Sequence, residues 1–543
     1  MHCCPLCDSD QLVYQFTHST TPIVRCGRCG LLMRNPQPSN TELAAIYNDT
    51  YFLVPNEAAE SLKRGTAAGY LDEIEARIGR NPRDGAGLRL LELGSGLGNL
   101  LVEARARGYD VTGVEYSEDS VRIANDRLGA HCVLQGTIDS VALPAGSFDV
   151  AVLADVIEHT RDPLADLKHV WRLLRPGGVL FIALPSLDSW SARLMRERWM
   201  EFKLEHTFYF NSSTVQLLLT KSGFEGIEIS TGWKTLSPEY IIEHFKRFPV
   251  PWLTGAARLT GTMLPAPVRQ QHLRVVASGI NVIGTRSALP PPTERPHRLS
   301  VIMPVFNERS SFPVIMTGLL AKSIPNVEID VVVVESNSTD GTRDEVRKFD
   351  GHPGVRVIYE STPKGKGHAV RAGLAFATGD YVLIQDADLE YDLNDYDQLL
   401  EPLMNGAAAF VLGSRHARDG RSWKIRHFTD QAGLSQVMNV GHLFFTTLFN
   451  VVYGTRLRDP FTMFKVFRRD CLHGLTFESN RFDFDWELVG KLVRAGYRPL
   501  EIPVNYQSRS FAEGKKVSFF RDPLTWFRAC FKYRFVRLGK RSS

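Results

Sequence analysis

The sequence predicts an α/β fold of two domains preceded by a small cysteine-rich module, and three observations carry the prediction. Apolar runs rich in β-branched residues alternate with helical patterns, the rhythm of βαβ units and a parallel sheet. The rhythm occurs twice, on either side of a proline-dense break, Ser287-Ala-Leu-Pro-Pro-Pro-Thr-Glu-Arg-Pro-His297. Near the start, Cys4-Pro-Leu-Cys7 and Cys26-Gly-Arg-Cys29 form two C-x2-C pairs.

In the first half, strands are expected at Leu88–Leu93, Val111–Glu115, Phe148–Ala154 and Gly178–Leu184, with helices at Leu100–Arg107, Ser117–Arg127 and Pro163–Leu174. In the second, strands fall at Ser300–Pro304, Ile329–Glu335, Val355–Tyr359 and Tyr381–Gln385. The break itself reads as a stiff extended linker, because proline removes amide donors and fixes φ. These boundaries give a module over 1–45, a domain over 46–286, a linker over 287–298 and a second domain over 299–543.

Composition excludes several classes. A chain of 543 residues exceeds the ~250–300 at which one core stops growing. With 43% hydrophobic and 23% charged residues it is not a disordered chain. A net charge of +4 is too small at this size to call for nucleic acid as the partner. No basic segment followed by an apolar run opens the chain, so cytoplasmic residence is expected. The nearest approach to a membrane span, Leu434 to Gly454, is interrupted by Gln436, Asn439, His442 and Asn450 and is read as non-spanning.

The spacing of Cys4, Cys7, Cys26 and Cys29 fits a zinc ribbon. Four thiolates fill a tetrahedral ion and leave no open position, so the Zn²⁺ is expected to be structural. Cys3, His2 and His18 stand close enough in sequence to substitute as ligands. Such a ribbon also suits nucleic-acid binding, but no sustained basic patch surrounds it.

Leu90-Leu-Glu92-Leu-Gly94-Ser-Gly96-Leu-Gly98 leads a strand into a glycine turn and a helix, where backbone can approach a ligand closely. Asn99 stands where a dinucleotide motif needs its third glycine, which argues against NAD. The next strand ends at Glu115, a carboxylate able to accept both ribose hydroxyls of a nucleoside. With Ser147-Phe-Asp-Val-Ala-Val-Leu-Ala-Asp155-Val-Ile-Glu158-His159 and Leu174-Arg-Pro-Gly-Gly178, this half resembles class I S-adenosylmethionine-dependent methyltransferases over roughly 85–285. The resemblance implies a seven-stranded Rossmann-like sheet, with Glu92, Gly94, Gly96 and Gly98 around the methionine part of the cofactor, Glu115 on ribose and Gly136–Asp139 beside adenine. Asp139 stands in for an acidic residue that Thr137 displaces. If the acceptor carries a proton, a base is needed. His159, after the fourth strand, and His206, in a segment that could lid the pocket, are the candidates, each weighed against an ordinary hydrogen-bonded histidine. The cysteine module ahead of such a domain also resembles sugar C-methyltransferases, which implies a carbohydrate acceptor.

The second half ends its first strand in Pro304-Val-Phe-Asn307-Glu308, its second in Glu335, and a later one in Asp386-Ala-Asp388. A short acidic pair at a strand end is a hard-oxygen site for Mg²⁺ or Mn²⁺ bridging a diphosphate. With Lys364-Gly-Lys366-Gly367, Gly413-Ser-Arg415, Asp459-Pro-Phe-Thr-Met-Phe-Lys465 and Arg509-Ser-Phe-Ala-Glu-Gly514-Lys515, it resembles inverting family 2 glycosyltransferases of GT-A fold, and among them the polyprenyl-phosphate mannose or glucose synthases. The resemblance implies a nucleotide-sugar donor held by Pro304, Asn307, Glu308, Glu335, Lys366 and Asp386, metal on Asp386, Asp388 and Glu390, and phosphate facing Arg415, Arg509 and Lys515. Glu335-Ser336 replaces the usual two aspartates, which leaves the preferred base open. Glu390 replaces the glutamine often found in those synthases. Asp485, in Arg481-Phe-Asp-Phe-Asp485-Trp-Glu487, is the preferred base should the acceptor be a sugar hydroxyl; Asp459 precedes a segment that could equally be structural.

The tail mixes Arg528, Lys532, Arg534, Arg537, Lys540 and Arg541 with Trp526, Phe527, Phe531, Tyr533 and Phe535. That pattern suits peripheral contact with an anionic membrane, such as the inner face of the plasma membrane, or aromatics packed on the sheet. The expectation is a bifunctional enzyme of glycoconjugate, polysaccharide or glycolipid assembly, acting on a sugar or lipid-phosphate acceptor, with no nucleic acid partner. Its rivals are a methyltransferase half that serves only as a binding or scaffold module, and the ribbon-guided nucleic-acid methyltransferase.

Overall fold

A computed structural model describes residues 2–18, 21–39, 41–42, 57–79, 87–247, 255, 265–416, 425, 432–508, 521–536 and 538. The chain divides into two compact units, Met1–Glu294 and Arg295–Ser543.

The first unit runs β1 (Leu12–His18), β2 (Thr21–Cys26), β3 (Leu32–Arg34), β4 (Arg89–Leu93), β5 (Asp110–Glu115), β6 (Val133–Gln135), β7 (Phe148–Ala154), β8 (Leu174–Pro185), β9 (Phe208–Tyr209), β10 (Phe224–Leu236) and β11 (Leu273–Arg286). Its main sheet has the order β10-β11-β8-β7-β4-β5-β6. The five strands from β8 to β6 pair in parallel, and β11 and β10 pair antiparallel at one edge.

The expected strands are apolar throughout because helices cover both faces of this sheet. Leu91, Leu93, Ala151, Leu153, Leu180 and Ile182 face one core. The alternate residues Leu90, Val150, Val152, Val179 and Phe181 face the other, where the helix Glu57–Ile78 buries Ala67, Tyr70, Leu71 and Ile74. Helix ends carry their own stops: Ser117 accepts from the Ser120 amide to start Glu118–Leu128, and Gly129 ends it in the left-handed region.

The cysteine module is not a separate body. β1, β2 and β3 form an antiparallel sheet completed by β9, from far along the chain. Cys4, Leu6, Cys7, Cys26, Leu31 and Met33 share one core with Phe208, Phe210 and Leu218. The segment expected as a stiff extended linker is bonded to the first unit. Pro292–Glu294 form a short 3-10 turn, the Ser287 amide donates to the Gly223 carbonyl at 3.1 Å, and Arg172 pairs with Glu294 at 2.8 Å. His297 and Arg298 already belong to the next strand, which pairs through them with Val327 and Glu328.

The second unit contains β12 (His297–Val305), β13 (Val327–Glu335), β14 (Val355–Tyr359), β15 (Tyr381–Ile384), β16 (Phe410–Ser414), β17 (Lys465–Arg468) and β18 (Leu500–Pro503) in the sheet order β14-β13-β12-β15-β17-β16-β18. β17 alone runs antiparallel to both neighbours. Leu299, Val301, Met303 and Val305 enter one core and Ile302, Val332, Val382 and Ile384 the other. In each unit the strand order reverses beside the first strand of the parallel core, between β4 and β7 and between β12 and β15, which opens a crevice at the carboxyl ends. No described helix is long and apolar enough to cross a membrane.

Candidate functional sites

The four cysteine sulfurs converge as their spacing requires. All lie within 4.8 Å of one another, with Cys4 to Cys29 at 3.6 Å and Cys7 to Cys26 at 3.5 Å. Lys221 donates to the Leu6 carbonyl at 2.9 Å, which brings a cation to the cluster. A tetrahedral Zn²⁺ fits this all-thiolate set.

At the β4 turn, Gly94, Gly96 and Gly98 have φ of 66°, 50° and 75°, conformations that a side chain makes costly. A Cβ on Gly94 would lie 2.6 Å from Val156 Cγ2, whereas one on Gly96 would meet nothing within 4 Å. Glu115 is buried, and its carboxylate accepts from the Gly96 amide at 2.8 Å and the Ser117 amide at 3.0 Å. These two bonds fix the carboxylate against the glycine turn and leave it further lone pairs for a ligand. Glu92 is buried behind the turn, where burial and then the Glu115 charge push its carboxyl well above the usual range. Asp139 is exposed and takes the Thr137 hydroxyl at 2.5 Å, which holds its carboxyl below the ordinary value.

Past β7, the rings of His159 and His206 stand 4.6 Å apart and nearly perpendicular at 89°. Burial lowers the His159 pKa, and burial with the His159 charge pushes His206 down to about 2. Glu158 is the residue that sequence reasoning passed over. It is 2% exposed beside both imidazoles. Asp155, at φ 54°, pairs with Lys234 at 2.8 Å on the same edge.

In the second unit the strand-end motifs surround a cavity of about 710 Å³. Pro304, Glu308, Lys366, Asp386, Asp388, Glu390, Arg415 and Asp485 line it. Its apolar wall is Val437, Met438, Phe445, Phe461, Trp486 and Trp526. Asn307 turns the chain out of β12 at φ 49°, its carboxamide accepting from the Thr339 amide at 2.9 Å. Lys366 forms an ion pair with Asp386; burial opposes its charge, and Asp386 ahead of Asp485 outweighs that and raises its pKa.

Several residues have other partners than the sequence implied. Glu335 is fully buried, pairing with Arg343 at 2.8 Å and accepting from the Ser338 amide at 2.6 Å. Ser336, which does line the cavity, donates to Glu360 at 2.6 Å. Arg415 is held by Asp459 through Nε at 2.8 Å and Nη2 at 2.7 Å. Burial works against the Asp459 charge, but Arg415 outweighs it and holds that carboxyl well below the usual range. Arg415 therefore meets the cavity as a rigid plane with Asp459 behind it. Asp485 accepts from the buried Lys465 ammonium at 2.8 Å, and burial lowers the Lys465 pKa. Glu390 accepts from Tyr506 at 3.2 Å and Asp388 from the Glu390 amide at 3.1 Å. Asp386, Asp388 and Glu390 do not gather within 4.8 Å as the cysteines do. Arg509 and Lys515 lie outside the described residues.

Each unit is thus an α/β domain with acidic and glycine-rich motifs at a strand-end crevice, and known proteins resemble both. Residues 63–229 match the family "Methyltransferase domain", and residues 300–475 match "Glycosyl transferase family 2". The chain is a fusion of a methyltransferase domain with a family 2 glycosyltransferase domain. Among curated relatives, Glycosyltransferase AglJ of Haloferax volcanii is 25% identical over 42% of this chain and 69% of its own length. The Dolichol-phosphate mannosyltransferase of Pyrococcus furiosus is 24% identical over 40% of this chain and 59% of its own length. A SAM-dependent methyltransferase structure from Thermotoga maritima is 26% identical, covering 37% of this chain and 82% of that one with a TM-score of 0.26.

Proposed function

We propose that this chain transfers a methyl group from S-adenosylmethionine to a sugar or lipid-linked intermediate, and a hexose from a nucleotide-sugar donor to a polyprenyl-phosphate-type acceptor. One recurring observation carries the reading. In each unit the acidic and glycine-rich motifs stand at the strand ends beside the point where strand order reverses, the crevice where such sheets take nucleotides.

In the methyltransferase unit Glu115, fixed by two amides, directs its remaining lone pairs at the ribose hydroxyls, and Gly96 leaves the backbone open to the ligand. Gly94 and Gly98 line the methionine part, and Asp139 borders the adenine. The cofactor supplies an electrophilic methyl group, and His159 and His206 belong to the acceptor side. The zinc, held by Cys4, Cys7, Cys26 and Cys29, is structural.

In the glycosyltransferase unit Pro304, Asn307 and Glu308 shape the nucleotide turn, Lys366 and Arg415 meet the diphosphate, and Asp386, Asp388 and Glu390 are the ligands for Mg²⁺ or Mn²⁺. The apolar wall formed by Phe445, Phe461, Trp486 and Trp526 suits a lipid chain, and the name of the Pyrococcus relative supports the same acceptor class. A phosphate monoester, with a second pKa of about 6, is already ionised and needs no base. Asp485 would be the base for a sugar hydroxyl. Leu524, Phe527, Phe531 and Phe535 on one helix and Val437, Val440, Phe444 and Val451 on another are exposed at helical spacing, which supports peripheral contact with a membrane.

A panel of nucleotide sugars with Mg²⁺ or Mn²⁺, a short polyprenyl phosphate and nucleotide release as readout tests the glycosyl reading. Release only with a sugar acceptor, or with none, would refute the lipid-phosphate half. S-adenosylmethionine binding by calorimetry tests the methyltransferase half.

A further inference from the structure

We propose that Glu158, His159 and His206 form a second metal site, holding a first-row divalent cation beside the methyl-donor turn. The proposal rests on the reading of that turn given above. Glu158 and His159 end the short 3-10 turn Ile157–His159 that follows β7, and His206 comes from the segment before β9. The Thr207 amide donates to the Glu158 carbonyl at 2.8 Å and locks the two segments together. One donor atom from each of the three side chains lies within 4.8 Å of the others, and His159 Nε2 stands 4.0 Å from Glu158 Oε1.

The second observation is the state of Glu158. It is 2% exposed, and neither carboxylate oxygen has a hydrogen-bond partner among the described residues. A buried carboxyl in that condition calls for a cation or a donor that the described residues do not supply. Two imidazoles at its edge are donors that suit Zn²⁺, Mn²⁺, Co²⁺ or Fe²⁺ and not Mg²⁺. Ligands about 2.1 Å from a tetrahedral ion stand about 3.4 Å apart, so a small side-chain adjustment closes this set on one ion.

Its position gives the ion a use. Val156, two residues before Glu158, is the residue that a Cβ on Gly94 would strike at 2.6 Å, so the triad sits next to the glycine turn. Three protein ligands leave a coordination position open. An oxygen of the methyl acceptor bound there would be oriented beside the donor. The Cys4 site, by contrast, is saturated.

The test is a Co²⁺ titration of the full chain, freed of any affinity tag and carrying Asp386→Asn and Asp388→Asn to silence the other carboxylate site. Uptake of about two ions per chain is expected. One should bring sulfur-to-cobalt charge-transfer absorption and the other only the weak bands of a nitrogen–oxygen site. Adding Glu158→Gln or His206→Asn should remove the second ion while the charge-transfer band and the thermal transition stay. Uptake at the thiolate site alone would overturn the proposal without any variant, because a histidine that merely accepts a proton holds no ion. A second ion that persists in both variants would overturn it too. If the cation binds but S-adenosylmethionine does not, the methyltransferase reading fails and the metal site stands.

Discussion

Replacing Gly94 and Gly96 separately by alanine should divide two roles that the glycine turn combines. Gly94 has φ 66° and Gly96 φ 50°, so each alanine enters the left-handed region at about 1–2 kcal/mol. The surroundings then differ. At position 94 the new methyl would stand 2.6 Å from Val156 Cγ2, well inside the ~3.5–4.0 Å optimum for carbon pairs. Displacing Val156 from its rotamer adds about 0.5–1.5 kcal/mol. Gly94→Ala should therefore destabilise the first unit by about 1.5–3.5 kcal/mol with or without ligand. At position 96 nothing lies within 4 Å, so the apo protein should lose only the ~1–2 kcal/mol backbone share. If that open space is where the cofactor rests, Gly96→Ala should weaken S-adenosylmethionine binding at least tenfold, which is about 1.4 kcal/mol. Denaturant unfolding without ligand and calorimetry with it measure the two effects. A Gly96→Ala protein that binds S-adenosylmethionine as wild type does would refute the assignment of this turn to the cofactor.

Other expectations follow from the same geometry. Glu115→Ala should abolish or strongly weaken S-adenosylmethionine binding while nucleotide release from a sugar donor persists; equal loss of both would argue against independent units. Purified protein should carry about one tightly held zinc at the thiolate set, absent after Cys26→Ser with Cys29→Ser, and because those cysteines share a core with Phe208 and Leu218 the thermal transition of the first unit should fall; metal-free wild type would refute the site. Asp459→Asn strands a buried guanidinium and should cost about 3–5 kcal/mol in the second unit at neutral pH. Because the Asp459 carboxyl is held below its unfolded value, its contribution is complete above about pH 4 and lost as pH falls further, so the gap between variant and wild type should narrow in acid; a gap unchanged down to pH 2 would refute the linkage.

The strands were legible because both faces of each sheet are covered, which makes every strand a continuous apolar run. The glycine turn and the cysteine pairs were legible because their chemistry is local and fixed by spacing. What the sequence did not reveal is pairing across the fold. The resemblance implies a phosphate-facing Arg415, and Asp459, 44 residues on, takes two of its donors. Asp485 reads as a free carboxylate, yet Lys465 occupies it from β17. Glu335 stands in the donor site by resemblance, and its pairing with Arg343 is not visible from its neighbours in sequence. The same blindness hid Glu158, which stands beside His159 in sequence but gains its meaning from His206, brought in by the segment that ends in β9. That strand also joins the cysteine module to the main unit, a pairing that no local pattern announces.

These pairings decide how the glycosyltransferase cavity treats an anion. Lys465 answers Asp485 and Asp459 answers Arg415, so both drop out of the cavity's charge balance. Among the described residues Glu308, Asp386, Asp388 and Glu390 then stand against Lys364, Lys366 and Arg481, with Lys366 paired to Asp386. A diphosphate entering this wall would meet more carboxylate than cation, and like charges a few ångströms apart repel strongly where water is excluded. A divalent ion that arrives with the nucleotide reverses the balance, and release of Asp386 by Lys366 would free a ligand for it. Donor binding itself, and not only turnover, should therefore require the metal. Calorimetry with a nucleoside diphosphate should give heat in the presence of Mg²⁺ or Mn²⁺ and at least tenfold weaker binding in EDTA, about 1.4 kcal/mol or more. Asp388→Asn should lessen the metal requirement for binding while lowering turnover. Equal affinity with and without the ion would refute the charge argument and make Lys366 the resident counter-charge of the site.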